Sequence, residues 1–274
     1  MPVAQPQRSD PEKSSLMIYI KTAEEIELLR ESNLLVSKTL AEIAKNIRPG
    51  ISTLALDAIA ETYIRDHDAV PGFKGYQGFP ATLCTSVNEQ VVHGIPSADA
   101  ILKEGDIISV DCGVVKKGYY GDTAFTFEVG EVSPEVKNLL KTTRECLFKG
   151  IEKAVEGQRT GDIGNAVQQH AENNGYSVVR ELVGHGLGKK MHEEPEVANY
   201  GRRGTGVKLK KGMVICIEPM INQGKRQINQ AADGWTVYTA DKMPSAHFEL
   251  AIVVDRGKAD ILSTFSYIDE VINK

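Results

Sequence analysis

At 274 residues, 41% hydrophobic and 25% charged, the chain can bury one large core or two fused halves. A formal net charge of −5 excludes an overall basic field aimed at nucleic acid or an anionic membrane, and no run approaches the ~18 apolar residues of a membrane span. Four scattered cysteines without a C-x-x-C pair argue against a zinc ribbon or disulfide framework and for a reducing cytoplasm.

Residues 1–16 (MPVAQPQRSDPEKSSL) are rich in Pro, Gln, Ser and charge, and read as a flexible leader without the order of a secretory signal. A single domain is expected over 17–274. Thr22 with Glu25 forms a capping box, after which Ile26, Leu29, Val36, Leu40, Ile43 and Ile47 recur at helical spacing until Pro49-Gly50. Further on, Lys103 to Asp111 reads turn, glycine, apolar strand, carboxylate, with Asp111 ending the strand. Asp122 follows the turn KKGYYG. With Lys116-Lys117 as a two-residue loop, the two aspartates stand directly opposite, Cβ atoms about 5 Å apart, close enough to share a cation. A bulge at Gly118 would alter that pairing. Ser133-Pro134 opens a second long helix, with Val136, Leu139, Leu140, Leu147, Ile151 and Ala154 on its apolar side. The basic run Arg202, Arg203, Lys208, Lys210 and Lys211 reads as a solvated loop.

The segment from Lys210 to Glu218 repeats the pattern of Lys103 to Asp111, 107 residues on. The stretch from Ile151 likewise echoes that from Ile43, 108 residues on. Two echoes at nearly one offset predict a duplicated helix–helix–strand unit, too few copies for a solenoid. The expected architecture is α+β, with pseudo-symmetric halves of about 17–130 and 131–274 around a central antiparallel sheet. Each half ends a strand in an acid, so a shared site should lie where the halves face each other.

Three more candidates join the two aspartates. His185 lies in GHGLG, where glycines leave the imidazole accessible and the backbone free to bend. Glu218 ends the second echo strand, and Glu249 heads the apolar strand in HFELAIVV. An aspartate beside a turn is often only a cap. A glutamate bordered by apolar strand residues is different, because burying an unpaired carboxylate is costly. Two Asp, two Glu and one His suit a pair of divalent ions such as Mn, Fe or Co, less obviously a lone Zn. Two such ions ~3.5–4 Å apart can share a bridging water and polarise a carbonyl at once. His93 (VVHGIP) and His192 (MHEEP) each lie upstream of their half's acidic strand end, whereas His67 and His170 read as helix surface. His247, two residues before Glu249, falls on the same strand face and reads as a supporting residue rather than a ligand.

The segments NEQVVHGIP, VDCGVVKKGYYGDTAFTF, GHGLGKKMHEEP, MVICIEPM and SAHFELAIVV together resemble the type I methionine aminopeptidases of bacterial form, over about residues 20–265. The resemblance implies the pita-bread fold. It implies a dinuclear centre held by Asp111, Asp122, His185, Glu218 and Glu249, with Asp122 and Glu249 bridging. It implies that Glu218 shuttles the proton, that His93 and His192 contact the substrate, and that Phe73, Tyr76, Phe79, Cys84, Met191 and Trp235 line the methionine pocket. Asn88 and Ser245 match positions tied to a monovalent cation. Nascent polypeptide N-termini at the ribosome, cut when the second residue is small, are the implied substrates of a cytoplasmic monomer. The sequence departs from the common pattern at Phe125, Met191 and His247. Two rival readings stand beside this one: a proline-specific aminopeptidase or prolidase of the same fold, and a non-catalytic binding protein. The short stretch before the first helix disfavours the former, and the complete ligand set disfavours the latter.

Overall fold

Thr22 caps the first helix reciprocally. Its hydroxyl accepts from the Glu25 N–H at 3.2 Å, while the Glu25 carboxylate accepts from the Thr22 N–H at 3.0 Å. The computed structural model describes residues 17–273, so the reading of 1–16 as a leader lies outside the described residues. In chain order come α1 (Ala23–Ala44), α2 (Thr53–Asp66), β1 (Val70–Pro71), a 3₁₀ turn at Tyr76–Gly78, β2 (Leu83–Val87), β3 (Gln90–Val92), β4 (Ile107–Lys116) and β5 (Tyr119–Glu128). The second half of the chain brings α3 (Pro134–Ile151), α4 (Thr160–Asn173), β6 (Ser177–Val178), β7 (Gly184–Gly186), β8 (Glu193–Val197) and β9 (Val214–Ile217). Then follow β10 (Met220–Asn222), β11 (Ile228–Gln230), β12 (Val237–Thr239), β13 (Ser245–His247), β14 (Leu250–Val253), β15 (Asp260–Ile261) and α5 (Ser266–Ile272). Ser133 caps α3 and Pro134 opens it, as the sequence predicts.

The echo recurs in the elements. Helices α2 and α4 each span 14 residues and begin at Thr53 and Thr160. The glycines entering β4 and β9, Gly105 and Gly212, have φ of +87° and +86°. All the strand ladders are antiparallel, grouped by hydrogen bonding into four sheets. One carries β1, β2, β4 and β5; another runs β15-β14-β9-β7-β8. A short seam joins these two. The Glu249 N–H donates to the Ala124 carbonyl at 3.0 Å, and the His247 N–H donates to Thr126 Oγ1 at 2.9 Å. The helices cover the layer with apolar faces, and at its back Phe125 packs against Phe127, Phe248 and Phe265 with ring centroids 4.7–5.0 Å apart.

The hairpin differs by one residue from expectation. Lys116 pairs with Tyr119, so Lys117 and Gly118, with φ of +52° and +80°, form the loop. A two-residue loop with positive φ at both positions has the twist that hairpin strands need, and glycine reaches that region without strain. Asp111 therefore opposes Ala124, and Asp122 opposes Gly113. The two aspartates are diagonal neighbours on one face rather than a direct pair. Strand β4 also continues past Asp111 to Lys116, which places that acid mid-strand instead of at a strand end.

Candidate metal centre and cavity

Five elements bring the predicted ligands to one point. Asp111 and Asp122 project from the β4–β5 hairpin, His185 is the middle residue of β7, Glu218 follows β9, and Glu249 leads into β14. His185 Nε2 lies 3.5 Å from Glu218 Oε1 and 3.7 Å from Asp122 Oδ2. Its Nδ1 donates to the Gly186 carbonyl at 2.9 Å, which leaves Nε2 as the lone-pair nitrogen facing the acids. From α1, Asn33 Oδ1 accepts the Asp122 N–H at 3.1 Å and anchors that strand position.

The glycines flanking His185 have a different role from the one expected. A Cβ on Gly184 would stand 2.4 Å from the Cys216 carbonyl oxygen, and one on Gly186 would stand 2.4 Å from that of Glu194. They admit the neighbouring backbones rather than exposing the imidazole, and His185 is buried.

Each of the four acids holds one carboxylate oxygen out of water. Asp111 Oδ1, Asp122 Oδ1, Glu218 Oε1 and Glu249 Oε1 are all buried without a hydrogen-bond partner. Burial pushes the Asp111 carboxyl up to about 7. Burial, reinforced by the neighbouring carboxylates, drives Asp122, Glu218 and Glu249 well above the usual carboxylate range. Burial likewise lowers His185 to about 3, so its imidazole is neutral and its lone pair is free. Such an oxygen-rich set with a neutral imidazole fits divalent ions, whose charge would offset both the mutual repulsion and the desolvation. Donor atoms of Asp122, His185, Cys216 and Glu249 lie within 4.8 Å of one another, and so do those of Glu218, His247 and Glu249. Glu249 belongs to both groups. Cys216 escaped the sequence reading, since a cysteine inside an apolar strand carries no outward sign of a metal-facing thiol.

A cavity of about 160 Å³ opens onto these residues. Phe73, Tyr76, Phe79, Cys84 and Trp235 form its apolar wall, with Phe79 and Trp235 edge to face at 5.2 Å. Met191, expected in that wall, is not part of it. It is fully buried behind Phe73, with its methyl carbon packed over Gly113 beside that ring. Gln77 lines the cavity unforeseen, held at φ +48° in the 3₁₀ turn. His93 and His192 stand on the cavity rim of the acids. His192 Nδ1 is 2.8 Å from Tyr76 Oη, and its ring meets His185 at 4.3 Å between centroids. Burial lowers the pKa of both histidines. Asn88 and Ser245 meet elsewhere, where the Ser245 N–H donates to the Asn88 carbonyl at 3.0 Å.

Residues 27–256 match the model of metallopeptidase family M24. The methionine aminopeptidase of Clostridium acetobutylicum is 50% identical over 247 residues, covering 90% of this chain and 99% of the relative. The chain belongs to the methionine aminopeptidases of family M24. A crystal structure of methionine aminopeptidase from Rickettsia prowazekii superposes with a TM-score of 0.89 at 42% identity, covering 90% of this chain and all of that one. The prolidase from Pyrococcus furiosus, at 22% identity and a TM-score of 0.72 over 89% of this chain and 65% of its own, shares the pita-bread fold. The seam between the two sheets adjoins the acid cluster, since Glu249, whose N–H forms it, is one of the acids. Among the described residues, no helix is long and apolar enough to cross a membrane.

Proposed function

We propose that this chain is a dinuclear metallo-aminopeptidase that removes methionine from nascent polypeptide N-termini whose second residue is small. One observation carries the reading: a cavity of about 160 Å³, walled by Phe73, Tyr76, Phe79, Cys84 and Trp235, ends at four carboxylates that each bury one oxygen without a hydrogen-bond partner among the described residues. Sites for larger ligands span ~300–1,000 Å³, so this one suits a single side chain and its amino end. Aromatic rings beside a thioether add ~0.3–1.5 kcal/mol per contact, which favours methionine over a branched aliphatic residue.

Asp111, Asp122, His185, Glu218 and Glu249 would hold two ions of the Mn, Fe, Co or Zn type. Such ions, when bound, would polarise the scissile carbonyl and supply a nucleophile from water at neutral pH. Glu218 accepts the proton of the attacking water on a carboxylate oxygen and passes it to the leaving nitrogen. Tyr76 fixes the His192 ring through Nδ1, which leaves Nε2 to donate to the oxygen on which negative charge develops. His93, which also lines the cavity, orients the amide. Asn88 and Ser245 would serve a monovalent cation away from the chemistry. We place the reaction in the cytoplasm, in one catalytic domain over 17–274 acting as a monomer near the ribosome.

Hydrolysis of Met-Ala, Met-Pro, Ala-Pro and Leu-Ala peptides, with Mn, Fe, Co and Zn added in turn, tests the reading. Metal-dependent release of methionine from Met-Ala is the expected result. Preferential cleavage of Ala-Pro would assign the chain to the proline-specific branch of the fold.

A further inference from the structure

His247 is the most deeply buried histidine of the site and has no use in the reaction as described. The residue is 1% exposed, and neither Nδ1 nor Nε2 has a hydrogen-bond partner among the described residues. Its backbone is tied on both sides to Thr126, whose hydroxyl accepts the His247 N–H at 2.9 Å and donates to its carbonyl at 2.8 Å. The side chain is thereby delivered rigidly into the acid cluster. Around it stand Glu218 and Glu249, and His93 is close enough to act on its charge.

A buried imidazole must carry a proton on one nitrogen and a lone pair on the other, and leaving both unmatched is unfavourable. Glu218 Oε2 lies 4.0 Å from Nε2, beyond hydrogen-bond reach. The same separation suits two donors on one ion, since ligand bonds of ~2.1 Å place their donors ~3–4 Å apart. The donor atoms of Glu218, His247 and Glu249 all fall within 4.8 Å of one another, as do those of the group containing His185.

We propose that His247 is a sixth metal ligand, one ring nitrogen joining the Glu218 and Glu249 carboxylates on the ion they share. The proposal rests on the dinuclear reading above. Its consequence is chemical selectivity. A second imidazole moves that ion's surroundings away from the all-oxygen sets suited to Mg or Ca and toward those suited to Fe, Co or Zn.

The test is a long-range proton–nitrogen spectrum of the ¹⁵N-histidine-labelled protein loaded with zinc, which shows which imidazole nitrogens carry metal. Two zinc-bound imidazoles are expected in the parent, His185 and His247, and His247→Leu should leave one. Calorimetric titration of His247→Leu with zinc should show one ion weakened ~10-fold or more, with the other retained. A single zinc-bound imidazole in the parent overturns the proposal whatever the variants do. So does parent-like affinity for both ions in His247→Leu. Should that variant fail to fold, His247→Gln, which keeps the volume, must show the same loss of one metal-bound imidazole. A parent that binds no divalent ion is a different failure, because it removes the dinuclear reading itself.

Discussion

His192 faces solvent while His185, its ring neighbour, is buried. That contrast separates their roles: a buried neutral imidazole among acids suits an ion, and an exposed one braced by Tyr76 suits a substrate that arrives and leaves. His192→Ala should lower kcat ~10²-fold, in the range for donors to a developing oxyanion, with metal content unchanged. Loss of an ion in that variant, measured by elemental analysis, would make His192 a ligand. Trp235 closes the cavity edge-on to Phe79. Trp235→Ala should raise KM for methionyl peptides several-fold with kcat little changed, because the wall contacts substrate in ground and transition states alike. An unchanged KM would return Trp235 to ordinary packing. Glu218 and Glu249 stood out in the sequence because carboxylates beside apolar strand residues demand a partner, and Asp111 and Asp122 because they flank one hairpin. Cys216, Gln77 and the closeness of His247 to Glu218 did not, since each depends on chain segments far apart in sequence.

Capped helices are the most legible elements, because the signals are local: Thr22–Glu25 for α1 and Ser133-Pro134 for α3. The hairpin was displaced by one residue because KKG offers two candidate loops, and only the geometry of positive φ decides for Lys117-Gly118. The strands of the second half are short, several of two or three residues, so alternation has no length in which to show. The glycines of β7 could be recognised but not correctly interpreted, for the close backbones lie on β8 and β9. Gly186→Ala would press a methyl group into the Glu194 carbonyl. Overpacking of this kind costs ~1–3 kcal/mol. Denaturant unfolding should show that loss, and calorimetry should show weaker metal binding, since His185 lies on the displaced strand. Parent-like values for both would mean that β7 and β8 can separate freely.

At the scale of the molecule, the buried acids link stability to pH and to metal. A carboxyl whose folded-state pKa is raised holds extra protons when folded, so folding weakens as pH rises through the window between the unfolded and folded values. For Asp111 that window runs from 3.8 to about 7, and the upward shifts of Asp122, Glu218 and Glu249 act in the same direction. His185 and His247, lowered by burial from 6.5 to about 3, act in the opposite direction below pH 6.5, so the metal-free protein should lose Tm as pH climbs above about 6.5. Divalent ions replace those protons, so the loaded protein should melt higher and show a shallower decline. Thermal scans with and without chelator measure both. A metal-free protein that becomes steadily more stable above pH 6.5 would contradict the electrostatics of the site. The duplicated architecture was legible from its echoes, whereas the seam that unites the sheets depends on main-chain bonds at Ala124 and Glu249 that no residue pattern announces.

That seam sets an order on the birth of the enzyme. Asp111 and Asp122 lie on a hairpin completed early in synthesis, while His185, Glu218 and Glu249 arrive only with strands built much later. On the proposed ligand set, a growing chain therefore lacks part of its acid cluster until Glu249 has been added and bonded to Ala124. On that reading a half-made molecule cannot trim its neighbours, and the order of the strands is enough to keep it silent.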